Sequence, residues 1–478
     1  MLRLLLPLTA AAASLVLSAA DADWPRYRGP NGTGLGDAEA KVPTEIGKEK
    51  NVLWKAAIPK GNSSPIIVKG RLLFTGWEAD ERIVFCHDAA KGTLLWRAAI
   101  KKDRAETAHP LNGPTTPTLA TDGDRVFAFF PEFGLVAYSL EGKEQWRVPL
   151  GPFAPIQGIA TSPLYVDGQV VVLIDTPEQA YLAAFDARSG KQAWKTDRST
   201  GFLGSYSTPS LYQPKNGPAQ IVVAGALELT GYQAKTGERI WWARGVTKGP
   251  AALPLVMGDH VYTVEPAGEP GPGFNEMPGK YDANKDGKLE IATEMAGDNF
   301  KKDEIYRRIF RAVDRNDGNG DGVLTVAEWD QSWDPKKSGG GLVRTRLGGK
   351  GDVSATHVGW KEPKGQPYVT APLLVDSVLY VVRNGGILAT YAAETGKLIK
   401  QERLKDATGE YYASPIAAGG KIYFASKDGK ITVVKPGAQS WETLASADLD
   451  EQIIATPAIA GNRLYVRTEK TLYCFASL

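Results

Sequence analysis

A chain of 478 residues, 43% hydrophobic and 23% charged, has the composition of a folded protein in water, not that of a disordered segment. A formal net charge of +2, with no standout cluster of Lys or Arg, excludes a nucleic-acid surface or a polybasic membrane patch as the organising feature. The 52 Gly and 31 Pro suit many tight turns.

Residues 1–22, MLRLLLPLTAAAASLVLSAADA, set Arg3 ahead of an apolar run that ends in small residues at Ala20 and Ala22, the pattern of a cleaved secretory signal. A membrane anchor is the alternative, but the run is short and alanine-rich, weak for a span that needs about 20 apolar residues. No cysteine stands near the cleavage site to accept a lipid. The expected mature protein is periplasmic or secreted and has no transmembrane segment. Residues 23–50 follow as an extended arm, because WPRYRGPNGTGLG, Trp24 to Gly36, is too rich in Pro and Gly for a helix or a long strand.

From residue 51 one phrase recurs. It is clearest as YLAAFDARSGKQAW, Tyr181 to Trp194, where an apolar run ends in a turn closed by Gly190 and a tryptophan follows four residues later. The phrase returns with Trp96, Trp146 and Trp241, with Lys400 in place of the indole, and with Gly437 and Trp441 at the same step. A proline precedes each unit, at Pro65, Pro117, Pro163, Pro209, Pro254, Pro372, Pro415 and Pro457, which implies eight repeats. The intervals are 52, 46, 46, 45, 118, 43 and 42 residues. A period in the forties with several short strands per unit is that of a β-propeller. The interval of 118 holds one repeat plus an insertion of roughly 70 residues, placed in a loop where insertions are tolerated. The chain thus divides into blades over 51–267, an insertion over 268–341 and further blades over 342–478.

NVLWKAAIP, ending at Pro59, is a lone strand carrying Trp54, and the last repeat, Ala455 to Leu478, stops before its tryptophan. Together they complete one blade and close the ring, which removes the exposed sheet edges. Tryptophans docked between neighbouring blades contribute about 2 to 3 kcal/mol each without any catalytic purpose. An exported chain could pair Cys86 with Cys474, but they fall at the same place in the phrase, hence in matching strands of neighbouring blades, which favours two buried free thiols.

The insertion carries the clearest chemistry. DGNGDGVLTVAE places Asp317, Asn319 and Asp321 at the first, third and fifth positions of a twelve-residue EF-hand loop. Gly322 makes the turn, Val323 offers its carbonyl, Thr325 takes the ninth place and Glu328 closes the site. Ile305, Ile309 and Val313 mark the entering helix. An upstream loop offers Asp282, Asn284, Asp286, the carbonyl of Lys288, and Glu290 around Gly287, but its closing place holds Thr293, with Glu294 one residue late. The expected ligand is Ca²⁺, in a structural role.

The repeated strand, D/A-x-x-T/S-G turn and tryptophan resemble the pyrroloquinoline-quinone repeat, the blade of quinoprotein dehydrogenases and of the outer-membrane assembly propeller lipoprotein. The resemblance runs from about Trp54 to Leu478 apart from the insertion. WPRYRGPNGTG and the stretches YYASPIAAGGKIYFAS and ATPAIAGNRLYVRT are similar to an exported bacterial group, some members of which carry an EF-hand insertion. The resemblance implies an all-β fold, an eight-bladed β-propeller with a small α-helical insertion. For the dehydrogenases it implies a quinone over the funnel with Ca²⁺ on Glu and Asn, a catalytic Asp, an Arg, and often adjacent cysteines. This chain has no adjacent cysteines.

Residues just ahead of the prolines should approach the funnel. They are Asn62, Ser63, Asn112, Thr115, Gln157, Thr161, Tyr206, Ser207, Lys248, Thr370, Tyr411 and Tyr412, too little charge for an anionic tricarboxylate and its metal. His87, His109, His260 and His357 show no metal spacing, and no nucleophile elbow or phosphate loop is present. No residue therefore argues catalysis. The reading is a monomeric, exported, calcium-binding scaffold in the cell envelope, its partner an envelope protein, a peptide or a polysaccharide and not a nucleic acid. The alternative is a pyrroloquinoline-quinone-dependent dehydrogenase of alcohols or sugars.

Overall fold

The computed structural model describes residues 23–104, 109, 112–153, 155, 157–177, 179–198, 204–226, 228–266, 272–296, 303–332 and 340–477. The expected signal segment and most of both hinges of the insertion lie outside these residues. Eight antiparallel sheets of four strands form the ring, one of them extended by a fifth short strand. Blades 1 to 4 span 66–101, 120–149, 164–197 and 210–244. Blade 5 is built from Leu255–Met257, His260–Glu265, Gly341–Arg346 and Val358–Glu362, and blades 6 and 7 span 373–403 and 416–448. Blade 8 takes three strands from 458–475 and its outermost strand, Val52–Ala57, from the other end of the chain. The closure expected from the two incomplete repeats is therefore present.

The repeated phrase has a definite job. Outside blade 5 the middle strands are buried almost throughout, as in LLFTG of Arg71–Glu78 and YLAAF of Ala180–Asp186, because neighbouring blades cover both faces. The outer strand alternates, as in Gln192–Asp197, since one face meets water. Its indole reaches forward to the next blade. The ring N–H groups of Trp54, Trp96, Trp146 and Trp360 donate to the carbonyls of Ala89, Leu140, Ala187 and Ala393 at 2.9 to 3.2 Å. Each carbonyl lies beside the turn of the following blade, and the turn glycine is pressed on the indole. A Cβ on Gly190 would stand 2.7 Å from the Trp146 ring, on a residue whose φ is +71°.

Two sequence assignments are corrected by the register. Trp441 does not occupy the docking position of blade 7. Ala445, opposite Val433, does, as Trp194 stands opposite Ala184 in blade 3, while Trp441 joins the core between blades 6 and 7. The four-residue step from Gly437 is thus coincidental, and the Lys400 ammonium lies 4.2 Å over the Trp441 ring instead. In blade 2 the place of Pro65 belongs to Leu119, because Ala120 faces Phe127 as Ile66 faces Leu73. Pro117 lies two residues too early. Cys86 and Cys474 are free and buried as expected, and burial pushes each thiol up to about 12.

The arm is more than a cover. Trp24 forms a bridge with Ile67 of blade 1, Asn31 bonds both backbone groups of Leu211 in blade 4, and Leu35 bridges Ala417 in blade 7. Buried Arg26 and Arg28 donate to the carbonyls of Pro209, Pro372 and Pro415. Beyond Gly36 the chain runs beneath the first turns of the blades, where Lys41 N–H meets Asn462 Oδ1 at 2.7 Å and Gly419 N–H meets Asp37 O at 3.0 Å. One end of the channel is thereby closed.

The insertion between Glu265 and Gly341 includes helices α1 (Ile291–Glu294), α2 (Glu304–Asp317) and α3 (Val326–Ser332). A fourth short helix, α4 (Ser354–His357), lies in blade 5. The insertion has its own core of Phe274, Leu289, Ile291, Ile309, Phe310, Val313, Leu324 and Trp329.

Stability should separate the two costs at the turn glycines. Gly190→Ala must displace an indole and hold a left-handed residue, whereas Gly168→Ala, at φ +78° with nothing within 4 Å, meets only the second cost. Urea denaturation should show Gly190→Ala destabilised by about 1 to 3 kcal/mol more than Gly168→Ala. Equal losses would remove the docking role from the indole.

Candidate functional site

Antiparallel strands alternate direction, so the connectors between blades and the connectors between second and third strands leave at the same end of the ring. The arm closes the opposite end. The open end holds a cavity of about 220 Å³ on the axis, floored by Tyr27 of the arm and ringed by Asn62, Asn112, Gln157, Tyr206, Tyr368 and Tyr412. Across the mouth the Tyr368 hydroxyl donates to Gln157 Oε1 at 3.3 Å, joining connectors from opposite sides of the ring. Among the described lining residues none is Asp, Glu, Lys or Arg, and His109 is the one imidazole.

Of the twelve residues expected at the funnel, Asn62, Asn112, Gln157, Tyr206 and Tyr412 line this cavity. Ser63, Thr161, Ser207, Thr370 and Tyr411 are buried behind it, and Thr115 faces a second cavity. Lys248 is also buried, its backbone N–H donating to Glu265 Oε1 at 2.6 Å. Sequence reasoning missed Tyr27 and Tyr368. Tyr27 belongs to the arm and not to a repeat, whereas Tyr368 sits four residues before its proline, the same step as Tyr411 before Pro415, so the repeat pattern itself marks its place.

The second cavity, about 610 Å³, opens on the same face between blades 8, 1 and 2. It shares Asn62, His109 and Ile454 with the axial one. Its wall includes the buried ion pair of Arg82 with Glu132, and Arg467.

Within the insertion the two loops pair as an antiparallel ribbon, with Lys288, Leu289 and Glu290 opposite Thr325, Leu324 and Val323. The eighth positions of both loops face each other at Leu289 and Leu324. In the first loop Gly287 N–H donates to Asp282 Oδ2 at 2.9 Å, Asp286 N–H to Asn284 Oδ1 at 2.9 Å and Lys288 N–H to Asp286 Oδ1 at 2.9 Å. Glu294, not Thr293, closes this loop by accepting from Ala283 N–H and Glu290 N–H at 2.8 Å. Its hydrogen bond with Glu290 raises the Glu290 carboxyl above the ordinary range.

In the second loop Asp321 N–H meets Asn319 Oδ1 and Val323 N–H meets Asp321 Oδ1, both at 2.9 Å. Glu328 accepts from Asn319 N–H at 3.1 Å and from Thr325 N–H at 2.9 Å. The bond from Gly322 N–H goes to Asp314 Oδ2 at 3.0 Å, the contact that Asp282 makes in the first loop. Helix α2 runs through Asp317, whose side chain lies outside the described residues. Asp314 was missed because a twelve-residue template starts three residues later. Among the described residues no group of three or more His, Cys, Asp or Glu stands together as a metal cluster. The donors present are instead the EF-type mixture of carboxylate, amide and carbonyl oxygen, which fits a hard cation.

A propeller of pyrroloquinoline-quinone-type repeats, closed at one end by its own arm and open at the other, is the class these features define. Sequence comparison then fixes the family: the chain belongs to the one described as outer membrane protein assembly factor BamB, which matches residues 46–157, 79–269 and 308–477. A protein of that name from Burkholderia pseudomallei (strain K96243) is 24% identical over 226 residues, 45% of this chain and 53% of the relative. The chain thus matches about half the length of that relative. Among solved structures, BamB from Moraxella catarrhalis superposes with a TM-score of 0.54 at 10% identity, covering 89% of this chain and 99% of that one. The quinohemoprotein alcohol dehydrogenase ADHIIG from Pseudomonas putida HK5 gives 0.57 at 12% identity, covering 98% and 82%. At such identities both show the fold alone. No helix among the described residues is long and apolar enough to cross a membrane.

The face also contains a carboxyl with a measurable signature. Burial pushes Glu265 up to about 7, against two backbone hydrogen bonds from Lys248 and Gly249 that favour its ionised form. With the folded value above the unfolded one, the native state holds the extra proton, so stability falls as pH rises from about 4.5 to about 7. Glu265→Gln should flatten that decline by at most about 3 kcal/mol. Melts of both proteins at pH 5 and pH 8 check it.

Proposed function

We propose that this chain is an exported scaffold of the cell envelope whose open face holds a partner protein, with Ca²⁺ keeping the insertion in shape. The observation that carries the reading is the arm. By closing one end it leaves the tyrosine and amide mouth, with 51% exposed Tyr368, and the EF-type insertion together on one face. Aromatic and amide groups with few charges are the composition of a protein-binding patch. The family name supports an envelope role, although the curated relative is matched over only 53% of its length. A photo-cross-linking residue at Tyr368 or Tyr412 should capture one defined envelope protein, while the same residue at Leu95, 50% exposed on an outer strand, should not. Capture from both faces alike would overturn the assignment.

The axial cavity does not suit pyrroloquinoline quinone. Three carboxylates and a metal ask for charged donors, and the described lining residues supply none apart from an imidazole. Titration of the calcium-loaded protein with the quinone, with dye-linked reduction on alcohols and sugars, should give neither binding nor turnover. Tight binding with turnover would replace the scaffold reading with a dehydrogenase.

For Ca²⁺, the first loop would use Asp282, Asn284, Asp286, Glu290, Glu294 and the Lys288 carbonyl. The second would use Asn319, Asp321, Glu328 and the Val323 carbonyl, with Thr325 at the ninth place and Asp314 or Asp317 opening it. The ion would neutralise the crowded carboxylates of each loop and fix the ribbon. Glu328→Gln should weaken calcium binding at the second loop by about ten-fold or more in calorimetry. An unchanged affinity would remove Glu328 from the site.

A further inference from the structure

Arg467 stands where the fold does not call for a cation. It is the fifth residue of the second strand of blade 8 counted from the turn, and the register places Thr75, Phe129, Leu173, Ala224, Val264, Val382 and Ala425 at the same position in blades 1 to 7. Seven blades manage this position with an uncharged side chain. In blade 8 a guanidinium is 1% exposed, and its partners are all neutral. Nη1 donates to Ser63 O and Ser63 Oγ at 2.9 Å and to Thr75 O at 2.8 Å, and Nη2 to Pro59 O at 3.4 Å. Its Nε has no partner among the described residues, and no carboxylate there pairs with it. Burial alone lowers its pKa to about 9.

Four oxygen contacts and the Phe74 ring, 4.7 Å from Cζ, soften this burial but supply no counter-ion, and a buried cation gains when an anion provides one. Arg467 lines the 610 Å³ cavity, within the ordinary size range of small-molecule sites. The rest of that wall is also cationic. Lys60, Lys102 and Arg82 join Arg467 against two carboxylates, of which Glu132 is already taken by Arg82 and Glu469 is exposed to solvent. Thr115 Oγ1 is a second buried polar atom on the wall that has no partner among the described residues. It lies beside the guanidinium, since a Cβ on Gly61 would stand 2.6 Å from Arg467 Nη2 and 2.9 Å from Thr115 Oγ1. Trp77 adds a half-buried indole.

We propose that this side cavity binds a small organic carboxylate, its anion held by Arg467 and Thr115, steered by Lys60 and Lys102, and its apolar body set against Trp77. A planar guanidinium with an N–H left unpaired among the described residues is the group best matched to a carboxylate. The proposal is independent of the scaffold reading, because it needs neither a partner protein nor calcium.

Calorimetry and thermal shift of the full chain with sodium benzoate test it, with benzamide as the uncharged isostere and inorganic phosphate as the anion without an apolar body. Benzoate should bind and raise Tm, and benzamide and phosphate should each bind at least about ten-fold more weakly. Arg467→Met should weaken benzoate by about ten-fold or more. Should that variant fail to fold, the surface double variant Lys60→Met, Lys102→Met should still weaken binding by about three-fold, an effect that shrinks with added salt. No benzoate binding, equal binding of benzamide, or equal binding of phosphate would each overturn the assignment.

Discussion

The ring depends on one repeated hydrogen bond. Just before the inner strand in six of the eight blades, a backbone N–H donates to a Ser or Thr hydroxyl at the same position of the next blade. Ser64 donates to Thr118, Thr118 to Ser162 and Ser162 to Thr208. Ala371 donates to Ser414, Ser414 to Thr456, and Thr456 back to Ser64, all at 2.9 to 3.0 Å. Each is buried, so leaving any N–H without its hydroxyl would cost about 1 to 3 kcal/mol. The closing bond from Thr456 to Ser64 spans 392 residues, which makes the circle a property of the whole chain. Inner hydroxyls set the angle between blades, and outer indoles then fill the wedge that opens as blades splay.

This ring also explains the arm. A proline stands just ahead of the inner strand in seven of the eight blades, and proline brings a carbonyl without an N–H. Arg26 and Arg28 collect three such carbonyls. Burial lowers both guanidinia to about 10, with Tyr27 acting against it for Arg28. Converging carbonyl dipoles are what make two buried cations tolerable there. The plug thus follows from the same repeat that builds the blades, and it leaves the molecule a single open face.

Much of this was legible because it repeats. Eight prolines, the recurring turn and the two incomplete ends were enough to fix the blade count, the closure and the site of the insertion. What failed were features that depend on register instead of spacing. Trp441 keeps the right step from Gly437 yet sits outside the docking place, since the turn of blade 7 holds eight residues between Val434 and Thr443 where blade 3 has six between Phe185 and Gln192. Asp314 replaces Asp317 in the bond to Gly322 because the helix continues through the residue at which a twelve-residue template would end it. Arg467 looks like any arginine at the end of a strand. Only alignment of eight blades by their hydrogen bonds shows that it is the odd one.

Blade 5 departs from the rule in an instructive way. At the hydroxyl position it carries Leu253, and the next blade carries Ala371, so neither joint of blade 5 with its neighbours has the ring bond among the described residues. Other contacts take over on the side of blade 4. Ser207 Oγ and Ser210 Oγ donate to Ala252 O and Pro254 O at 2.8 and 2.7 Å, and Leu253 packs beneath Gly32 of the arm. At the rim, Gly351–Asp352 of blade 5 pairs in parallel with Trp241 and Trp242, adding a fifth strand to blade 4. That strand lies beside Trp241, whose indole bonds Gln220 of its own blade at 2.8 Å, as Trp194 bonds Gln169 in blade 3. The blade that hosts the insertion is therefore fastened to blade 4 at its rim as well as at its centre. A guest anchored between its second and third strands can load that blade without pulling directly on the hydroxyl ring.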